Sequence, residues 1–397
     1  MATATTLPTA SRNSPLKRVL LSRGSDSTPA LFPDVPSTRD SGPGALLPPG
    51  SGPERVGIAR LASSSPLAEA KRGTEYFLLP VRSILNHCDS DRVPFSWTVN
   101  SYRGCEFGCQ YCYARYTHEY MGLDGADFER KIYVKQGAGA LAARDLSTEK
   151  IHGEHIAIGT ATDPYQPAER EYGVTRAILE EMAKRSGLSV SITTKSNQVV
   201  RDLDLLLRIA EHSTVQVNLS ITTMRPRLAR MLEPRAPRPD LRMEAVRELR
   251  NAGIAAGVFA MPVLPGLTDG EADLDALARA SRDAGAQWFA ARVLYLMPSA
   301  QKQFLSFLYA KFPKLARRYR ELFSHSNYVP EAYRREISAR VAALRKKYKL
   351  GEFPVEATQS REGAPQMNLG FDFTPAARNP QSLTSACSAQ SPLRVLT

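Results

Sequence analysis

The chain of 397 residues is short of cysteine, tryptophan and histidine, with five, two and six of each. So few cysteines exclude a disulfide-stapled secreted scaffold, and the three that cluster cannot pair evenly. No apolar run approaches the ~20 residues that a membrane-spanning helix needs. Acidic residues are also in deficit, with 40 Asp and Glu against 52 Lys and Arg, a formal net charge of +12. Most of that excess sits in one place. Residues 301–349 hold thirteen Lys or Arg and only Glu321, Glu331 and Glu336, a local excess of ten. Such a concentration points to a polyanionic partner.

What the chain does have is a run of three cysteines in eight residues. Asn100-Ser-Tyr-Arg-Gly-Cys-Glu-Phe-Gly-Cys-Gln-Tyr-Cys-Tyr-Ala-Arg115 places Cys105, Cys109 and Cys112 as C-x3-C-x2-C. Three thiolates on one tight loop can bind three irons of a [4Fe–4S] cube and leave the fourth without a protein ligand. An open position is where metal chemistry happens, whereas four closed ligands are usually structural. Gly104 and Gly108 let the backbone wrap closely, Arg103 and Arg115 can offset thiolate charge, and Tyr111 can shield the cluster from water. Zinc is the rival reading, with His118 completing a Cys3His set. No second cysteine pair exists to build a ribbon or finger.

The pattern along the chain divides it. Residues 1–72 hold ten of the 28 prolines with many serines, and read as an unstructured tail. Arg12, Lys17, Arg18 and Arg23 superficially resemble a transit peptide, but Pro8 and Pro15 break any amphipathic helix there. Residues 73–97 form a lead-in. From 98 to 297, short runs rich in Val, Ile and Thr alternate with helical stretches. The predicted strands are 98–103, 155–162, 189–195, 215–222, 257–264 and 288–297; the predicted helices are 174–185, 202–212, 242–252 and 271–284. Residues 298–350 read as a basic helical extension, and 351–397, which include Cys387, as a second disordered tail. Strands that alternate with helices imply a parallel sheet with right-handed crossovers. Candidate residues recur where strands end, which favours a partial (β/α)6 TIM-type barrel over an open doubly wound sheet.

These residues resemble the radical S-adenosylmethionine superfamily. The run 100–115, Gly159-Thr-Ala-Thr-Asp-Pro-Tyr-Gln-Pro-Ala-Glu169, Thr194-Lys-Ser196 and Leu232-Glu-Pro-Arg-Ala-Pro237 are similar to its spore photoproduct lyase-like, "DNA repair photolyase" branch. The similarity spans about residues 75–345. It implies a [4Fe–4S] cluster on the three cysteines whose free iron chelates S-adenosylmethionine. Electron transfer then yields methionine and a 5′-deoxyadenosyl radical that takes hydrogen from a substrate. It also implies an electron donor of flavodoxin or ferredoxin type and a cytoplasmic setting.

Position and chemistry then suggest roles. Thr162 and Asp163 stand where the superfamily often carries a Gly-Gly-Glu run that meets the methionine amino group. Lys195 is a candidate partner for the methionine carboxylate, and Ser220 for the carboxylate or ribose. Each has a plainer alternative: a turn before Pro164 for Asp163, an exposed strand end for Lys195, a hydroxyl facing a neighbouring strand for Ser220. Glu169 and Arg170 are expected to open a helix, and Glu233 and Arg235 to lie in a loop at the active face. His87, Cys88, His152 and His155 are expected to be structural. The lyase pattern has a hydrogen-returning cysteine near strand two, where this chain reads Ile158-Gly-Thr-Ala-Thr162. Tyr165 and Tyr295 become the candidate donors.

The basic segment interleaves its charges with Phe304, Phe307, Tyr309, Phe312, Tyr319, Phe323, Tyr328 and Tyr333. That mixture suits a surface that tracks phosphates and stacks bases, or a helical layer packed on the barrel with its charges solvated. Three functions stay open: a radical enzyme acting on DNA or another nucleic acid, one acting on a peptide or small metabolite, and a non-catalytic zinc- or cluster-bearing nucleic-acid binder.

Overall fold

The computed structural model describes residues 55–354 apart from 72, 89–92 and 149–150; the expected tails before 55 and after 354 lie outside the described residues. Eleven strands among them form two sheets. β1 (Leu67–Lys71), β2 (Thr74–Leu79), β5 (Tyr102–Arg103) and β6 (Lys131–Lys135) make a four-stranded sheet in the order β1-β2-β6-β5. β3 (Leu85–His87), β4 (Trp97–Val99), β7 (His155–Ile158), β8 (Ser189–Thr194), β9 (Thr214–Ser220), β10 (Ala255–Val263) and β11 (Phe289–Val293) make the main sheet. Its order is β11-β10-β9-β8-β7-β4-β3. The last six of its strands in chain order are all parallel, and only β3 runs antiparallel, against β4. Each parallel strand thus lies beside its predecessor, the order that successive right-handed crossovers produce. The sheet does not close; β3 and β11 are its edges.

One face of this sheet holds the core. Ile156, Ile158, Val190, Ile192, Val217, Leu219 and Val258 pack against Ile178, Leu179, Leu206, Val246, Leu249, Leu274 and Leu277 of the crossover helices. Each such side chain is worth roughly 1.5–3 kcal/mol when taken out of water. The opposite face is different in kind. Ser191 pairs with Gln216 and Thr193 with Asn218, and Asn218 and Ser220 lie opposite Gly257 and Phe259 on β10. A parallel sheet covered on both faces is ordinarily apolar on both. Here one face is polar and still largely buried.

Three expectations are corrected. Residues 57–71, within the predicted unstructured tail, contain the helix Gly57–Ser64 and β1. The predicted strand 98–103 is two strands in two sheets. The break falls at Asn100, whose side-chain Nδ2 donates to Thr160 Oγ1 and whose side-chain Oδ1 accepts from the Ala161 N–H. The strand predicted over 155–162 stops at Ile158. Gly159 follows with φ +91°, and a Cβ there would lie 2.4 Å from the Thr193 carbonyl oxygen.

Candidate active site

The chain leaves β5 through Gly104, at φ +83°, where a Cβ would lie 2.7 Å from the Lys131 carbonyl oxygen and 2.8 Å from that of Phe128. Only glycine passes this point. The Cys105 N–H then donates to Phe128 O (3.0 Å), and the Gln110 N–H to Leu232 O (2.9 Å). Gln166, fully buried, clamps the start of the loop. Its Oε1 accepts from the Glu106 N–H (2.9 Å) and its Nε2 donates to Gly104 O (3.1 Å). Thr162 Oγ1 donates to the same carbonyl at 2.5 Å. The Glu106 carboxylate takes the Ala168 N–H (2.7 Å) and the Tyr76 hydroxyl (2.8 Å). From beneath, buried Arg115 donates to Cys109 O (3.3 Å) and pairs with Glu129 at 2.6 Å. Cys109 is buried and Cys105 and Cys112 half-buried, packed with Phe107, Tyr111, Leu228, Leu232 and Phe304.

The arrangement suits an iron–sulfur cluster. Burial pushes all three thiols up, so they stay neutral unless a metal displaces their protons. Lys195 and Arg242 oppose that rise at Cys109, and Arg115 and Lys195 at Cys112, without overcoming it. Among the described residues no three His, Cys, Asp or Glu side chains converge on one ion. A cube takes one thiolate per iron and needs no such convergence. His118, the fourth ligand of the zinc reading, is buried beside the loop. Its Nε2 lies 2.9 Å from Lys131 O and its ring packs edge-on to Phe128 and Tyr133. Burial lowers its pKa to about 4, the behaviour of a packed neutral imidazole.

Beside the cysteines lies a buried ionic knot. Glu233 and Arg242, each 1% exposed in the side chain, pair at 2.5 Å. The Tyr111 hydroxyl donates to Glu233, and Thr222 Oγ1 lies 2.9 Å from the same oxygen. Burial works to raise the Glu233 pKa, but Arg242, Lys195 and Tyr111 outweigh it and hold the carboxyl below the usual range. Lys195, half-buried, stands 5.9 Å from the Tyr111 ring centre. Burial disfavours its charge, yet Cys109, Glu233 and Asp163 hold its pKa above the ordinary lysine value. A cation is therefore fixed next to the cysteines.

The structure gathers Lys195, Asp163 and Thr162 around the cysteine loop, with different duties. Thr162 ties the loop, as above. Asp163 ties the strand ends: it accepts from Thr194 Oγ1 (2.6 Å), the Lys195 N–H (2.7 Å) and the Tyr165 N–H (3.0 Å). Of these three, Lys195 is the cation, and no ion pair engages its ammonium among the described residues. Ser220 ends β9, buried, and its carbonyl accepts from Arg242 (2.9 Å). Tyr295 follows β11 and packs on Tyr328, with ring centres 4.7 Å apart. Tyr165 is corrected. It is fully buried in the main core, facing Asp202 and Glu169 rather than the cysteines, so it has no open path to a substrate. Glu169 is buried too, accepting from Tyr102, Thr175 and Arg201. Gln166 and Glu106 lie inside the runs 159–169 and 100–115, where only the family resemblance marks them, and Arg242 lies outside every such run. His87 packs edge-on to Trp97, and His155 spans Ser189 and Ser191.

The basic segment forms the helices Pro298–Lys311, Pro313–Leu322 and Glu331–Tyr348. Phe304, Tyr319 and Phe323 are buried with the cysteine loop, and Phe307, Phe312 and Tyr333 pack on that cluster. Of the two roles left open for the aromatics, base stacking and packing, these six pack. Tyr309 is the exposed exception, at 46%, with the Arg320 guanidinium 5.5 Å from its ring centre. Lys302, Lys311, Lys314, Arg317, Arg318 and Arg320 are all exposed. No helix among the described residues is long and apolar enough to cross a membrane.

The cysteine loop meets residues at the C-terminal ends of the parallel strands, Thr162, Asp163 and Lys195, the side on which α/β folds carry their sites. Residues 99–278 match the family model described as Radical SAM superfamily. The chain belongs to that superfamily and is a radical SAM enzyme, and membership implies the use of S-adenosylmethionine with an iron–sulfur cluster. It is 36% identical over 301 residues to an uncharacterized protein of Mycobacterium tuberculosis, covering 75% of this chain and 87% of that one. An uncharacterized protein of Methanocaldococcus jannaschii is 32% identical over 179 residues, 44% of this chain and 63% of its own. Spore photoproduct lyase complexed with dinucleoside spore photoproduct superposes with a TM-score of 0.50 at 14% identity, over 76% of this chain and 85% of that one. That likeness concerns the fold.

Proposed function

We propose that Cys105, Cys109 and Cys112 hold a [4Fe–4S] cluster with one iron open to S-adenosylmethionine, and that the enzyme acts on nucleic acid in a lyase-like repair reaction. The bound cluster and cofactor supply an electron and a 5′-deoxyadenosyl radical. On this reading the six sequential parallel strands are the staves of a partial barrel, and the cysteine loop closes its C-terminal mouth. Lys195 orients the cofactor through its carboxylate, since it is a fixed cation beside Cys109. Asp163 and Thr162 are positioning residues: they hold the backbone of Lys195 and of Gly104. The apolar layer of Phe107, Leu232 and Phe304 keeps water from the cysteines. The observation that carries the reading is this pinned, desolvated three-cysteine loop with Lys195 beside it. Nucleic acid as substrate is supported by the exposed cations of residues 302–320.

Anaerobic reconstitution with S-adenosylmethionine and dithionite tests it. Formation of 5′-deoxyadenosine should rise when ultraviolet-damaged DNA is added. Stimulation by a peptide or small metabolite, with none by DNA or RNA, would move the substrate to another class.

A further inference from the structure

The polar inner face of the main sheet ends at β11 in an arginine that has no acidic partner among the described residues. Ala291 and Val293 face the apolar core, so by strand alternation Arg292 faces the other way with Ala290, which pairs with Phe259. Arg292 is half-buried and makes no ion pair among the described residues. Three residues on, Tyr295 bridges to Tyr328 backbone to backbone, and their rings pack at 4.7 Å. The Arg334 guanidinium stands 5.5 Å from the Tyr328 ring centre. Glu331 takes one of its amino groups, while its Nε is buried without a hydrogen bond. Burial, and then the charge of Arg334, lower the pKa of Arg292. Two guanidiniums close enough to repel, with Glu331 on Arg334 as the one carboxylate paired with either, are costly unless an anion completes the group. The group also lies near the cysteines: Tyr116 is within electrostatic reach of both Tyr295 and Cys112.

We propose that Arg292 and Arg334 grip a phosphodiester of the substrate while the Tyr295–Tyr328 pair meets the adjoining base, placing one nucleotide beside the cysteine loop. Guanidinium binds phosphate through paired donors, and every base offers a face to an aromatic ring. This deepens the nucleic-acid reading and rests on it. It makes Tyr295 a substrate contact and places recognition at the strand ends, distinct from the phosphate-tracking cations of helices 298–322.

The test uses a probe with a single charge. Thymidylyl-thymidine is titrated against the full chain by anaerobic calorimetry, beside its uncharged methylphosphonate analogue. Wild type should bind the phosphodiester about ten- to a hundredfold better than the analogue, the size of a charge-assisted contact. Arg292→Gln should bring the two probes to near-equal affinity, and Arg292→Lys should restore part of the difference. Arg334→Gln should reduce it less, because Glu331 already draws on that charge. The comparison of probes on wild type needs no variant to fold. Equal binding of both probes by wild type overturns the inference, as does an undiminished preference in a folded Arg292→Gln protein. Tighter binding of an acidic peptide than of the dinucleotide also overturns it. Binding of damaged DNA but of neither dinucleotide leaves the nucleic-acid reading standing and removes this site from it. Failure to bind any nucleic acid removes both.

Discussion

Replacing Arg242 with Met should destabilise the protein by about 3 kcal/mol, the low end of the roughly 3–5 kcal/mol found when one partner of a buried ion pair is removed. The geometry sets the figure. Arg242 donates to Ser220 O and Pro237 O, both at 2.9 Å, and pairs with Glu233 at 2.5 Å, with 1% of its side chain exposed. Met refills the volume but leaves two carbonyls without a donor and Glu233 without its strongest cation. Tyr111, Thr222 and Lys195 still serve Glu233, which keeps the loss near the low end. For a folded unit of about 300 residues the melting temperature should fall by about 5 °C. Urea unfolding under nitrogen measures it directly. The double variant Arg242→Met/Glu233→Gln should recover part of the loss, because it removes the stranded charge as well. A single-variant cost below about 1 kcal/mol, or strict additivity in the double, would refute the claim that the pair is a buried, coupled unit.

Other outcomes follow from the same geometry. Lys195→Ala should weaken S-adenosylmethionine binding about ten- to a hundredfold by calorimetry while iron content is kept; Asp163→Ala should instead lower the melting temperature, because it unties Thr194, Lys195 and Tyr165. Unchanged affinity in Lys195→Ala would place the cofactor elsewhere. Charge reversal at Arg317, Arg318 and Arg320 should reduce both affinity for single-stranded DNA and its slope against salt, by about 0.7 for each phosphate no longer neutralised; an unchanged slope would show these cations to be idle. His118 has a folded pKa of about 4 against an ordinary 6.5, so the fold favours the neutral ring. Its contribution is complete above pH 6.5 and is lost as pH falls from there toward 4. His118→Gln should flatten the stability profile in that window, and an unaltered profile would assign the acid sensitivity to other groups.

The metal-binding loop could be read from the sequence because its ligands are local: three cysteines and two glycines within nine residues specify a tight, open ligand set. The strand–helix alternation was legible for the same reason, since hydrophobic period is a local property. The contacts that support the site were not. Gln166 reaches Gly104 and Glu106 across about sixty positions, and Glu233 reaches Tyr111 across 122. No spacing rule joins such residues. Tyr165 misled because it follows a strand end, where active residues collect, yet its side chain turns back into the core. The aromatics of 304–323 misled differently: mixing with Lys and Arg describes a nucleic-acid surface and an amphipathic helix equally well, and only burial separates them.

The central claim is that the three cysteines form an open iron–sulfur site. Anaerobically reconstituted protein should contain about four irons and as many sulfides per chain. Its dithionite-reduced electron paramagnetic resonance signal should shift when S-adenosylmethionine is added. Cys105→Ala, Cys109→Ala and Cys112→Ala should each lose or degrade the cluster, and Cys88→Ala should not. A colourless protein with stoichiometric zinc, or a reduced-cluster signal that S-adenosylmethionine leaves unmoved, would contradict it.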